Sequence, residues 1–238
     1  MRYTFCITNK KRNRAMIKGI IFDWLGTLSP GIPEGYFPVN RIKEQFHLDD
    51  ATIAQCEKQL GLFKAPHQPR TIDEQRQILL EWYGTLAKML STKDQEKFID
   101  FLMDWSLEKI TPILYSDVMQ TLELLASRKL ELAILTNGWP TRLLEIQRCH
   151  IAHYFRAILI SSVEGVAKPE IQAYQNAQEK LGLPANEILL IEDKEKYLIP
   201  AASLDMEGLL MDREENQPHG HFAHIKELSG IMNLINKL

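Results

Sequence analysis

Cysteine is scarce in this chain of 238 residues: Cys6, Cys56 and Cys149 are odd in number and stand at no patterned spacing. That argues against a disulfide framework or a cysteine-ligated zinc site and fits a reducing cytoplasm, the location expected. Neither sign of charge is in excess. With 28 Lys and Arg against 31 Asp and Glu, the net charge is -3, too little field to hold a polyanion, so no nucleic-acid partner is expected. The one basic cluster, Lys10 to Arg14, falls in a leader at residues 1–16. That leader has no apolar stretch behind its charges, as a secretory signal would, and reads as a solvated tail in which Met16 is a second candidate start. Long hydrophobic runs are also missing. Nothing approaches the ~18 residues that span a bilayer, and no membrane partner is expected. Internal repeats and low-complexity segments are absent, and no self-complementary motif decides between monomer and homodimer.

What is present has two textures. Around residues 17–28, and again over 117–210, short apolar runs alternate with helical patterns, the mark of βαβ units and a parallel sheet. Strands are expected at 19–22, 131–135, 157–160, 187–191 and 208–211, and helices at 118–127, 141–149, 171–181 and 200–204, with a closing helix from 224 to the end. The stretch 36–112 has 3.6-residue periodicity instead, at 39–46, 51–60, 72–89 and 93–107. The expected fold is therefore α/β: a Rossmann-like parallel sheet flanked by helices (17–35 and 113–238), with an all-helical insertion at 36–112. Trp82, Tyr83, Phe98, Phe101 and Trp105 fall at helical spacings in that insertion and are expected to pack its interior rather than to stack on bases.

In open parallel sheets ligands gather at the carboxyl ends of the strands. Asp23 follows the first expected strand, Thr136-Asn137-Gly138 the second, Lys168-Pro169 lies beyond the third, and Glu192-Asp193 follows the fourth. A carboxylate can attack phosphorus or an activated carbon to give a covalent intermediate. A lysine and a hydroxyl can stabilise charge developing on phosphoryl oxygens. Paired carboxylates with a backbone carbonyl offer hard oxygen ligands suited to Mg²⁺. Each feature alone is weak, because an Asp after a strand is commonly a turn residue and Lys-Pro commonly just opens a helix. Their order and shared placement carry the signal.

FDWLGTL, ILTNG, VAKPE and LLIED resemble, in order, the four motifs of the haloacid dehalogenase superfamily. The resemblance implies a helical cap inserted after the first strand and a small-molecule phosphorylated or phosphonylated substrate. Asp23 would be the nucleophile, and Thr136 and Lys168 phosphate-stabilising groups, with Asn137 and Gly138 binding substrate. Asp23, the Leu25 carbonyl and Asp193 would hold Mg²⁺.

Two departures stand out. Phosphatase branches carry a second Asp two residues after the nucleophile, which protonates the leaving group; Leu25 cannot, since that work needs a titratable side chain. In IEDKEKYLIPA, Tyr197 and Leu198 stand where many relatives have a further Asp. Three alternatives accommodate Leu25. FDWLGT and KQLGLFKAPHQ are similar to phosphonoacetaldehyde hydrolase, which would make Lys64 an imine-forming lysine beside His67. A 2-haloacid dehalogenase expels halide without a proton, although the early cap lacks the arginine that branch would use. A catalytically inactive binding protein is the third. A plainer reading makes Lys64, His67 and Arg70 a substrate-binding cap loop. His219, His221 and His224 have a spacing that suggests a metal, but they lie beyond the last expected strand and read as a solvated loop.

Overall fold

The computed structural model describes residues 15–33, 35–90, 93–215 and 220–231. Nearly all of the expected leader, His219 and the end of the expected closing helix lie outside them. The first apolar run forms β1 (Gly19–Phe22), whose four residues are all buried. β2 (Glu131–Thr136), β3 (Ala157–Ile160), β4 (Ile188–Glu192), β5 (Glu207–Met211) and β6 (Ala223–Ile225) complete one six-stranded sheet in the order β3-β2-β1-β4-β5-β6. Every pairing in it is parallel. Strands covered on both faces read as unbroken apolar runs, and GIIF, ELAILT and ILLIE do so.

Alternate residues of these strands feed two separate cores. Ile20, Phe22, Leu132, Ile134, Leu189 and Ile191 face one side, where they pack with α5 (Val118–Ser127) and with Ile146 of α6 (Arg142–Arg148). Ile21, Ala133, Leu135, Ile188 and Leu190 face the other, against α8 (Ile171–Leu181) and α9 (Glu195–Ser203). The two-residue period of the strand backbone makes this division. A four-residue helix, α7 (Ser161–Glu164), follows β3.

Between β1 and β2 lie α1 (Val39–Phe46), α2 (Asp50–Leu62), α3 (Ile72–Ala87) and α4 (Gln95–Asp104), the last running into a π-helical turn at Trp105–Lys109. Side-chain oxygens start two of these helices: Asp49 accepts from the Thr52 N–H at 2.8 Å, and Thr71 from the Glu74 N–H at 3.1 Å. The helices enclose a third apolar cluster that includes Ile42, Leu86, Phe98 and Leu102, each without solvent exposure. The two ends of this helical stretch are stitched together: the Ile113 N–H donates to the Gly31 carbonyl at 3.1 Å and the Ser29 hydroxyl to the Ile113 carbonyl at 2.6 Å.

Three expectations need correction. The helix expected at 200–204 begins at Glu195, with Pro200 inside it. Proline favours a first helical turn, but here the helix must already be formed for Leu198 to reach the core, where it is fully buried. The loop expected around His221 and His224 contains β6, a short edge strand whose side chains are mostly exposed and so leave no apolar run to read. The closing helix does not start at 224; that stretch forms β6 and then a 3₁₀ turn at Leu228–Gly230.

Candidate active site

Asp23 sits one residue beyond β1, where its N–H donates to the Ile191 carbonyl at 2.9 Å and continues the ladder toward β4. That bond delivers its side chain, buried, to the carboxyl edge of the central strand. The chain then turns tightly, with the Leu28 and Ser29 N–H groups both donating to the Trp24 carbonyl. Gly26 makes the turn with φ +86°, and a Cβ there would overlap the Asp193 carboxylate, so glycine is required both by backbone and by space.

Lys168 reaches this edge from the loop after α7. Its Nζ lies 2.6 Å from Asp23 Oδ1 and 2.5 Å from Glu192 Oε2, with side-chain exposures of 1% for the lysine and 0% for Glu192. The Asn137 side chain positions the lysine: its Nδ2 donates to the Lys168 carbonyl at 2.9 Å and its Oδ1 accepts from the Lys168 N–H at 3.0 Å. The ring of Tyr197 lies 5.1 Å from the same ammonium, a cation–π contact at the position where a further acid was expected. Tyr197 is held in turn by Tyr174, whose hydroxyl donates to its carbonyl at 2.8 Å.

One ammonium facing two buried carboxylates leaves a net negative charge. Burial alone would lower the Lys168 pKa, but the charges of Asp23 and Glu192 outweigh it and hold the group well above its usual value. Burial raises Asp23, with Lys168 opposing, and raises Glu192 much further, reinforced by the negative charge of Asp23. Glu192 is occupied on both oxygens, since Oε1 also accepts from the N–H groups of Asp193 and Lys194 at 3.1 and 3.3 Å. Oxygens of Asp23, Glu192 and Asp193 lie within 4.8 Å of one another. That is a hard-oxygen donor set of the kind Mg²⁺ prefers, and it includes Glu192, to which the sequence had given no role.

The helical stretch meets this edge along residues 68–75. Gln68 Oε1 accepts from the Trp139 indole at 3.1 Å, and the Gln75 amide pairs in both directions with Thr141, to its hydroxyl at 2.9 Å and from its N–H at 3.0 Å. The Arg70 guanidinium lies against Gly165, where a Cβ would collide with it. Beside them is a second buried ion pair, Arg142 with Glu145 at 2.5 Å; the Tyr36 hydroxyl donates to Glu145 at 3.3 Å. Arg142 Nε leans on Gly138, 3.2 Å from where a Cβ would sit.

The structure thus gathers Asp23, Lys168 and Asp193, and sets Thr136, Asn137 and Gly138 at the end of β2 beside them. It does not draw in the whole expected loop. Lys64 and His67 are exposed, and among the described residues no hydrogen bond or ion pair joins them to the strand-end carboxylates. Leu25 is half-buried, its side chain against the first apolar core and 3.6 Å from where a Cβ on Gly31 would stand.

Comparison with known proteins places these features in context. The family model described as haloacid dehalogenase-like hydrolase matches residues 17–218. Phosphatase MT3486 of Mycobacterium tuberculosis (strain CDC 1551 / Oshkosh) is 27% identical over 121 residues, 50% of this chain and 56% of that protein, so the match spans little more than half the relative's length. A 2-haloacid dehalogenase from Pseudomonas syringae pv. tomato DC3000 aligns with a TM-score of 0.68 at 19% identity, over 93% of this chain and 99% of its own. A predicted phosphoglycolate phosphatase from Haemophilus somnus 129pt aligns at 0.58 and 20% identity, over 92% and 98%. At such identities the structural likeness speaks to the fold.

Proposed function

Since the chain belongs to the haloacid dehalogenase-like hydrolase family, we propose that it hydrolyses a small phosphorylated metabolite through Asp23. The observation that carries this reading is the buried cluster of Asp23, Lys168, Glu192 and Asp193 at the carboxyl end of the central strands. Asp23 attacks phosphorus, and Lys168, whose proton is held firmly between two acids, balances charge on the nonbridging oxygens. Asn137 positions that lysine through its backbone, and the Gly138 turn with Thr136 borders the phosphate. Asp23, Asp193, Glu192 and the Leu25 carbonyl would hold Mg²⁺, which supplies positive charge that screens an anionic nucleophile from an anionic substrate. The helical stretch acts as a cap, with Arg70 on its inner edge contributing to substrate binding. Lys64 and His67 fit a substrate-contacting loop better than an imine site, because imine chemistry needs a desolvated amine and Lys64 is exposed.

Halide displacement is the second reading, favoured by Leu25, which leaves no acid at that position. The three clustered carboxylates favour phosphoryl transfer, since a halide-expelling site gains nothing from a cation-binding cluster.

Phosphate release measured with Mg²⁺ on a panel of phosphate compounds tests the proposal. Asp23→Asn is expected to lower turnover by a factor of about 10⁴ or more while phosphate-analogue binding persists. A variant that retains its rate would remove Asp23 from the role, and halide release without phosphate release would move the protein to the second reading.

A further inference from the structure

Among the described residues, no side chain engaged in the strand-end cluster has a proton to spare for a leaving group. In an in-line displacement the leaving oxygen departs on the side of phosphorus opposite the nucleophile, and a general acid must come within about 2.6–3.2 Å of it. Leu25, two residues past Asp23, has no titratable group to offer and packs against the first apolar core. Lys168 and Glu192 sit on the nucleophile's own side: the lysine touches Asp23 directly, and both Glu192 oxygens are already engaged. Glu145, nearer the helical stretch, is occupied by Arg142 and Tyr36. Among the described residues around the cleft, the exposed loop side chains Lys64 and His67 remain as titratable groups, and neither has a hydrogen bond or ion pair that joins it to the strand-end carboxylates.

From this arrangement, and resting on the phosphoryl-transfer reading above, we propose that the substrate is a phosphate compound whose leaving group departs as a stable anion without protonation. An acyl phosphate has that chemistry. The carboxylate it releases has a conjugate acid of pKa about 4, against about 10 for a phenol and far higher for an alcohol. In the first half-reaction an Asp23 oxygen bonds to phosphorus while the bond from phosphorus to the leaving oxygen breaks; that oxygen keeps the electron pair and leaves as carboxylate. In the second, water oxygen bonds to phosphorus and the bond to Asp23 breaks. The Asp23 carboxylate regains its electron pair, and both water hydrogens leave with the phosphate. General acid catalysis contributes about 10²- to 10⁴-fold; an alkyl ester forfeits that factor here and an acyl phosphate does not.

The test is kcat/KM with Mg²⁺ for acetyl phosphate, 4-nitrophenyl phosphate, phenyl phosphate and glycerol phosphate, with wild type, Leu25→Asp and His67→Ala. Wild type is expected to fall steeply down this series, with acetyl phosphate favoured over glycerol phosphate by well over the ~10²- to 10⁴-fold that a general acid supplies. Leu25→Asp is expected to shrink that ratio about 100-fold or more by restoring an acid, and the ratio in His67→Ala not to steepen, whatever overall rate is lost with a substrate-contacting side chain. A shallow wild-type series overturns the proposal whether or not Leu25→Asp folds, and a series that steepens in His67→Ala overturns it by naming His67 as the acid. Silence on all four compounds would sink the phosphoryl-transfer reading with it, whereas turnover with a shallow series would sink only the inference about the leaving group.

Discussion

Lys168 is the residue on which the electrostatics of this site turn. It neutralises two carboxylates that are both out of water, and breaking a buried pair from one side leaves uncompensated charge, which costs roughly 3–5 kcal/mol. Lys168→Met is therefore expected to lose about that much stability near pH 8 in urea titrations. The loss should shrink as the pH falls. An acid whose folded pKa is raised favours the folded state while protonated and opposes it as the pH rises past the unfolded value, and both Asp23 and Glu192 are raised. A deficit independent of pH would mean that burial of the carboxylates is not its origin. Asp23, Lys168 and Asp193 were legible in the sequence because each lies at or beyond the carboxyl end of an expected strand. Glu192 was legible as a strand-end acid but not as a buried partner of Lys168: it looks solvent-facing until the register, Glu192 beside Leu210, places it inside. Arg142 and Glu145 escaped for a similar reason, since charges spaced three apart on a helix ordinarily read as an exposed pair.

At the scale of elements, α3 and the π-helical turn are joined by a buried hydroxyl pair, Tyr83 to Ser106 at 2.6 Å. Burial pushes the Tyr83 phenol up to about 12 and the Cys149 thiol up to about 11. In the unfolded chain both groups ionise earlier, from 10.0 and 9.0, so the unfolded state binds fewer protons and stability falls as pH rises. Thermal melts are expected to show Tm declining above pH 9, with Tyr83→Phe flattening the part of the decline between pH 10 and 12. An equal slope in the variant would show that Tyr83 is not the group being titrated. The strands and most helices emerged from the sequence within a residue or two, because strand runs buried on both faces leave an unmistakable pattern. The exceptions have local causes. β6 is an exposed edge of three residues, and in α9 the demand for Leu198 in the core overrode a proline that favours a helix start.

Across the whole molecule, polar bonds join the helical stretch to the sheet beside Trp139, which packs against the helices' apolar cluster, and the pair of Gln75 with Thr141 among these bonds is buried. Removing the Gln75 amide leaves the Thr141 N–H unpaired at a cost of about 1–3 kcal/mol. Gln75→Ala should accordingly speed hydrogen exchange at the Thr141 amide, with exchange inside β1 unchanged; an unchanged Thr141 rate would mean that other contacts hold the two parts together. The sequence showed that a helical block interrupts the sheet, but not how it docks, because a glutamine and a threonine 66 positions apart carry no shared pattern.

The paired ends of that block reach further than the site. Gly31 and Ile113 are hydrogen-bonded neighbours, so the core sees the helices as one closed loop with a fixed mouth. Closing such a loop costs an entropy that grows only with the logarithm of its length, about 0.6 kcal/mol for each doubling. In evolutionary terms the chain between those two residues is free to lengthen, shorten or be exchanged while the sheet beneath it stays the same. Substrate preference can then diverge through the exchanged part, and the strand that carries Asp23 need not change.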